Sequence, residues 1–220
     1  NTPGFERVLE TSSLGSGVIV DAGRGLILTN NHVIKNAYEI NVTLTDGREL
    51  SAEIVGRDEE TDVAVLQVSA INLVEIPMMD SKKLRVGDFV VAIGNPFGLG
   101  QTVTSGIISA LGRSGLGNSG GAPVNLRGEL VGINTAIYGA GNQGNIGIGF
   151  AIPINMASGI MRQLIDHGEV QRGRLGAQGQ DLTEQLAQAF AIDRNNGFII
   201  TQIEQGSPAD KAGLVVGDVI

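Results

Sequence analysis

The chain has 220 residues, of which 42% are hydrophobic and 4% aromatic, and its formal net charge is −8. This length allows one large domain or about one and a half ordinary ones, with an aliphatic core. The acidic balance without a basic block argues against nucleic-acid binding, and the absence of cysteine excludes a disulfide framework and a cysteine-based metal site. No apolar run has the length of a membrane span, and no signal peptide is visible, which fits a mature fragment or a cytosolic chain.

Short strands are predicted in the first part of the chain, at 18–20, 26–28, 40–44 and 49–55. Asp46-Gly47 lies between the last two and is a strong signal for a tight hairpin. Asp62 then opens a more continuously apolar run, which indicates a buried strand.

A second set of strands is predicted at 89–93, 103–111, 129–138 and 146–152. Many short strands with Gly and Asn turns and few helices favour a barrel or a sandwich. An apolar stripe from Met156 to Ile165 then indicates a helix, which we expect to begin with Asn155 as its cap and to end at Gly168.

The C-terminal part follows a polar stretch at 169–173 that we interpret as a linker. A short helix is predicted at 182–190 and a strand at 197–203. Ser207 before Pro208 predicts the start of another helix, because serine caps helices and proline is favoured at the first helical position.

Gly117-Asn118-Ser119-Gly120-Gly121 suits a nucleophile on a sharp turn, because glycine tolerates positive φ and lets a substrate backbone approach. In such a turn the amides of Gly117 and Ser119 can point into one pocket, where a carbonyl oxygen becomes negative. Gly-rich turns are common, so this stretch gains its meaning from residues upstream.

A serine nucleophile needs a base, usually a histidine that a carboxylate orients. His32 lies where an apolar strand runs into a polar turn, and Asp62 stands at the mouth of the predicted buried strand. The order His32, Asp62, Ser119 is that of the chymotrypsin type of triad. A single acid at a strand start is otherwise most often a turn former.

The surrounding residues exclude the usual function of two other sequence motifs. The glycine-serine stretch satisfies the nucleophile-elbow pattern of α/β-hydrolases, but Pro123 breaks the helix that an elbow needs, and the only later histidine, His167, lies at a predicted helix end. Residues 139–144 spell the G-x-G-x-x-G of dinucleotide-binding folds, but a strand follows where that fingerprint needs a helix. We interpret this segment as a loop.

Several motifs, in order and spread over nearly the whole chain, resemble the HtrA family of bacterial periplasmic serine proteases: Thr29–Ile34, Thr61–Leu66, Val91–Gly98, Gly117–Gly121 and Gly147–Pro153. The resemblance implies a mainly β fold, with a chymotrypsin-like double β-barrel protease domain followed by a truncated PDZ domain. The expected boundaries are 1–168 for the protease domain, 169–173 for the linker and 174–220 for the N-terminal part of the PDZ domain.

The same resemblance assigns further site residues. Ile137 would line the pocket for the residue before the scissile bond, which favours small aliphatic side chains. Gly149, Phe150 and Ala151 would pair with substrate backbone. In the PDZ domain, the loop of Arg174, Leu175, Gly176 and Ala177 would accept a peptide's C-terminal carboxylate, the peptide adding as a β-strand.

The sequence departs from the family at two places, before Gly15 and between Leu116 and Gly117, where a loop and a barrel strand are expected. A missing core strand would leave backbone groups unpaired. We therefore expect that the sequence as given omits residues at Leu116–Gly117 and between about Val8 and Leu14. The omitted residues would belong to the active-site loops, and the site would then be in a resting, inactive state. The chain also stops before the remaining PDZ strands.

The function that follows is a serine endopeptidase that degrades unfolded or misfolded proteins in periplasmic protein quality control. It would need no cofactor or metal, and would form a homotrimer or a larger cage of trimers. The rival hypothesis is a chaperone-like peptide-binding module whose triad is not assembled. A structural β-protein with accidental motifs would require three coincidences in the right order.

Overall fold

The computed structural model describes residues 14–95, 101–111, 121–139, 145–190, 192–193 and 197–220, with the backbone alone at 136–139 and 145–147. The chain divides into two compact units, Asn1–Val170 and Gln171–Ile220. Strands dominate the described residues, so the predicted mainly β class is confirmed.

The N-terminal half of the first unit forms a five-stranded sheet in the order β1-β2-β5-β4-β3, with all neighbours antiparallel. Its strands are β1 (Gly17–Asp21), β2 (Leu26–Asn30), β3 (Asn41–Thr43), β4 (Glu49–Asp58) and β5 (Val63–Val68). A single helical turn, α1 (Asn31–Ile34), follows β2 directly. The predicted strands of this half are therefore confirmed, with changes at their ends.

The second half of this unit contains a three-stranded sheet and a hairpin. The sheet has the order β7-β6-β8 and consists of β6 (Phe89–Gly94), β7 (Thr102–Ile107) and β8 (Ala122–Asn125). The hairpin joins β9 (Gly132–Gly139) to β10 (Asn145–Pro153).

The prediction that a strand runs from 103 to 111 was wrong at its end. The strand stops at Ile107, because the backbone of Ile108 instead exchanges hydrogen bonds with the turn at Gly87 and Asp88. The predicted strand at 129–138 begins late for a similar reason, since Leu130 makes only isolated bridges, to Met78 and Val124.

The strands β2 and β5 are buried on both faces, which explains their continuous apolar sequence. Successive side chains of a strand point to opposite faces. Leu28 and Val65 accordingly belong to the cluster that also holds Leu130 and Ile152, whereas Ile27 and its neighbours on β5 belong to a second cluster. Each of these strands is therefore held from two sides.

One helix, α2 (Ile154–His167), packs against β4 and β5 as well as β9 and β10. It ends at Gly168, which has a left-handed φ of 75°, as predicted. The prediction that Asn155 caps the helix was wrong, because Pro153 occupies that position. The Asn155 amide instead donates to Asp80 at 2.7 Å and, with the backbone of Lys82, holds the pKa of Asp80 below its ordinary value.

The second unit pairs β11 (Ala177–Asp181) with β12 (Phe198–Ile203) in antiparallel register. Two short helices, α3 (Glu184–Ala189) and α4 (Pro208–Lys211), have side-chain caps. Ser207 accepts from the backbone of Asp210 at 3.2 Å, which confirms its predicted role. No helix among the described residues is long and apolar enough to cross a membrane.

Two glycines with left-handed backbone offer a matched test of this packing. A Cβ on Gly25 (φ 67°) would lie 2.0 Å from the carbonyl oxygen of Val68, whereas one on Gly47 (φ 87°) would meet no atom within 4 Å. Both alanine variants should have a free energy of unfolding that is lower by about 1–2 kcal/mol, because alanine is strained in the left-handed conformation. Gly25→Ala should lose clearly more, because Val68 must move and its hydrogen bond to Gly25 is disturbed. Urea denaturation measures both, and equal losses would contradict the packing described.

Candidate active site

The end of β2 and the start of β5 bring His32 and Asp62 together, although they are thirty residues apart in the chain. Asn30, the last residue of β2, pairs with Val63, the first of β5. His32 follows in α1, and Asp62 directly precedes β5. The imidazole Nδ1 of His32 lies 2.7 Å from Oδ2 of Asp62, and the His32 amide donates to Oδ1 at 2.9 Å.

Asp62 has an unusual backbone, with a φ of 56°. Only a few residues other than glycine adopt this left-handed conformation, in which local hydrogen bonds are needed for support. The turn before it supplies some of them, since the buried Asp58 accepts from the amide of Thr61 at 3.1 Å. The Asp62 carbonyl also accepts from the amide of Asn31 at 3.1 Å.

The carboxylate of Asp62 receives two further side-chain donors. Thr135, on β9, donates its hydroxyl to Oδ2 at 2.8 Å, and Asn30 donates its amide to the same oxygen at 3.2 Å. The carboxylate is thus fixed by groups from both halves of the first unit. The side chains of His32 and Asp62 are 25% and 16% exposed, so the pair is mostly buried but still accessible to solvent.

This arrangement determines which nitrogen of the imidazole carries the proton. A carboxylate at Nδ1 selects the tautomer that carries its proton there and stabilises the imidazolium that forms later. The remaining nitrogen, Nε2, is then an acceptor. The pair is therefore equipped to take a proton from a hydroxyl group and to return it.

Gly117 and Ser119, the predicted oxyanion donors and nucleophile, lie outside the described residues, as do the expected skips at Leu116–Gly117 and before Leu14. Description resumes at Gly121, which has a φ of 145°. Its carbonyl accepts from the amide of Asn134 at 2.8 Å, next to Thr135 in β9.

The predicted substrate residues lie on the hairpin of β9 and β10. Ile137 pairs through its backbone with Gly149, and its side chain is not among those described. Phe150 pairs with Ala136, and a register shift separates it from Ala151. Within the described ranges, the other edge of β10 has no strand partner.

The predicted carboxylate loop of the second unit borders a cleft of about 430 Å³, which is lined by Gly173, Arg174, Leu175, Gly176, Ala177, Gln178, Gln202 and Glu204. Gly176 has a φ of 74°, and its carbonyl accepts from the Glu204 amide at 2.8 Å. Arg174 forms an ion pair with Glu204 at 2.9 Å. The loop is thus fixed to the end of β12 beside the cleft.

Sequence reasoning missed Asn30, Thr135 and Ser16. Ser16 accepts from the amide of Asn95 at 2.7 Å, which links the start of the chain's first sheet to the end of β6. The available signal was a polar residue at a position where a buried strand predicts an apolar one. Asn30, in the fully buried β2, fits that description, whereas Thr135 is only half-buried and gives no such local signal.

The remaining histidine, His167, lies in the last turn of α2, as its predicted place at a helix end requires, and it is exposed. Within the part of the chain that the structure describes, no group of three or more His, Cys, Asp or Glu residues is placed to hold a metal ion.

Comparisons with known proteins identify two domain types. Residues 15–133 match the family model of the trypsin-like peptidase domain, and residues 163–220 match that of the PDZ domain. The chain is 52% identical over 225 residues to the periplasmic pH-dependent serine endoprotease DegQ of Escherichia coli, and 53% over 226 residues to the periplasmic serine endoprotease DegP of the same species. These matches cover 94% of this chain and 49% and 48% of the two proteins, so the chain spans about half the length of the curated relatives it matches.

A solved structure, the HtrA-type protease AlgW with tripeptide, is 46% identical, with a TM-score of 0.82 over 94% of this chain and 74% of that one.

The contact between Thr135 and Asp62 can be tested through stability. Thr135→Val keeps the shape of the side chain but removes the donor to a charged, partly buried oxygen. We expect a loss of about 1.5–3 kcal/mol in the free energy of unfolding, the usual value for such a hydrogen bond. Thr135→Ser keeps the hydroxyl and should lose much less. Urea denaturation measures the free energy of unfolding of both variants, and a loss in Thr135→Ser that equals or exceeds the loss in Thr135→Val would contradict the stabilising role of the hydroxyl.

Proposed function

The chain belongs to the HtrA family of trypsin-like serine proteases, which confirms the resemblance and the protease-plus-PDZ organisation. On this premise we propose that it is a serine endopeptidase with His32, Asp62 and Ser119 as its catalytic triad. The observation that carries the proposal is the hydrogen bond of 2.7 Å between Nδ1 of His32 and Oδ2 of Asp62. The backbone amide of His32 donates to the other oxygen of the same carboxylate.

In the proposed mechanism, Ser119 attacks the scissile carbonyl carbon while Nε2 of His32 takes its proton. Asp62 keeps the imidazole in the required tautomer and stabilises its positive charge. His32 then returns the proton to the leaving amine, and water releases the acyl group by the same route. The amides of Gly117 and Ser119 stabilise the oxyanion, each contributing about 3 kcal/mol.

The anchoring of Gly121 supports Ser119 as the nucleophile. Gly121 is two residues along the chain from Ser119, and it is bound to Asn134, the neighbour of Thr135. Thr135 in turn binds Asp62. The described part of the serine turn is therefore attached to the strand that contacts the carboxylate of the triad.

For substrate binding we propose that an extended polypeptide pairs with the backbone of Gly149, Phe150 and Ala151, with Ile137 lining the pocket for the residue before the cleaved bond. The open edge of β10 supports this mode. Unfolded or misfolded proteins are the proposed substrates, since an unfolded chain can present such a segment. No cofactor is required by this chemistry.

The domain boundaries proposed are 1–168, 169–173 and 174–220, with the last segment binding C-terminal peptides at the loop of Arg174 to Ala177. We propose a periplasmic location and a role in protein quality control and the stress response, because DegQ and DegP are named as periplasmic endoproteases. A homotrimer or a cage of trimers is the proposed assembly, and chaperone activity alongside proteolysis is the second candidate function.

Kinetics on an unfolded protein such as reduced casein test the proposal. Ser119→Ala should lower kcat by about 10⁶, since it removes the nucleophile. Asp62→Asn should lower it by about 10⁴, because the imidazole then has the wrong tautomer. Urea denaturation of each variant confirms that it is folded. Fragments formed equally by Ser119→Ala would contradict the triad.

The same preparation separates the endopeptidase from a chaperone-like module. A binding module would suppress the aggregation of a heat-denatured protein without producing fragments. An endopeptidase produces fragments that Ser119→Ala does not. Suppression by the wild-type protein with no fragments under any condition would favour the rival function.

The PDZ proposal predicts a dependence on the charge of the peptide's terminus. A fluorescent peptide with a free C-terminal carboxylate should bind at the loop of Arg174 to Ala177, and the same peptide with an amidated terminus should bind at least about tenfold more weakly, because it loses charge-assisted hydrogen bonds. Fluorescence anisotropy measures both. Equal binding of the two peptides would exclude carboxylate recognition by this loop.

A further inference from the structure

Asn30 is completely buried, with 0% of its surface exposed, and it is the last residue of β2. It also occupies the cap position of α1, where asparagine usually accepts a hydrogen bond from the helix backbone. Its side chain makes no such bond. A buried polar side chain at this position is therefore not explained by helix capping.

The amide of Asn30 is instead directed at Asp62. Nδ2 lies 3.3 Å from the Asp62 carbonyl oxygen and 3.2 Å from its Oδ2. Asn30 thus holds the backbone and the side chain of Asp62 at the same time. Thr135, by comparison, contacts only the carboxylate.

This double contact matters because Asp62 has a left-handed backbone. Such a conformation persists only when the surroundings hold it in place. A carbonyl and a carboxylate bound to one amide group have a fixed relative orientation. Asn30 consequently restricts the dihedral angles that determine where Oδ2 meets the ring of His32.

The other end of the Asn30 side chain argues in the same direction. Its Oδ1 is buried and has no hydrogen-bond partner among the described residues. An unpaired buried acceptor is unfavourable, and an apolar residue at this place in β2 would avoid that cost. Local rules broken in this way are expected at functional sites.

We propose that Asn30 is a positioning residue of the active site, which holds Asp62 in the geometry that orients His32. This proposal rests on the proposed function, since it concerns the same triad. Asn30 is completely buried, and its amide contacts Asp62. It acts on the reaction only through Asp62.

The first test compares kinetic constants. Asn30→Ala removes the amide, and Asn30→Asp keeps its shape but replaces the donor with an acceptor. Both should lower kcat about 10- to 100-fold, the effect of losing a hydrogen bond to a charged group, with KM changed less than about twofold. A variant that raises KM with unchanged kcat, or that changes neither, would overturn the proposal.

A matched control separates positioning from loss of stability. Val68 lies at the opposite end of β5 from Asp62 and belongs to the core cluster that contains Ile27. Val68→Ala removes buried methyl groups from that cluster. It should be destabilised in urea, yet retain its activity per folded molecule. If the kcat of the Asn30 variants recovers fully once it is expressed per folded molecule, Asn30 is merely structural.

The second test does not need turnover, so it distinguishes a failure of this proposal from a failure of the proposed function. A histidine Nδ1 proton bound to a carboxylate gives a far-downfield signal in proton NMR. In wild-type protein His32 should show it, and Asn30→Ala should shift or broaden it, whereas Val68→Ala should not. An unchanged signal in Asn30→Ala would overturn the proposal even if the protein is an active protease. Inactive wild-type protein that behaves as expected in this test would contradict only the proposed function.

Discussion

The hydrogen bonding of the Asp62 carboxylate is the interaction on which the geometry of the proposed active site depends. Among the described residues, four donors converge on its two oxygens: the amide and ring of His32, the Asn30 amide and the Thr135 hydroxyl. They come from β2, α1 and β9, so the carboxylate connects the five-stranded sheet to the hairpin of β9 and β10. A shift of the turn that carries Asp62 would disturb every one of these contacts.

The core explains how such a small group can be held accurately. β2 and β5 pair side by side and are buried on both faces, which leaves their ends little freedom to move. His32 and Asp62 follow and precede these strands directly. The left-handed conformation at Asp62 then turns its side chain toward α1, and Asn30 and the turn at Asp58 support it. Tertiary packing thus provides the rigidity, and a few buried polar contacts provide the direction.

Much of this was accessible from the sequence. Apolar runs and turn signals predicted the strands of the first sheet, and the His32 and Asp62 motifs predicted a pair that the fold brings to 2.7 Å. The missed features depend on distant contacts. Thr135 lies 73 residues from Asp62 in the chain, and nothing local in its strand indicates that partner. Asn155 looked like a cap because asparagine favours caps, but its bonds to Asp80 and Ser81 are long-range and overrode that preference.

Every step of the proposed mechanism requires that the His32–Asp62 pair activates Ser119. The most direct measurement is labelling with a fluorophosphonate, which reacts with an activated serine, followed by mass spectrometry of the tryptic peptide that ends at Arg127. We expect a label on Ser119 in wild-type protein and its loss in His32→Ala. A folded wild-type protein without label, or with a label on a different serine, would contradict it.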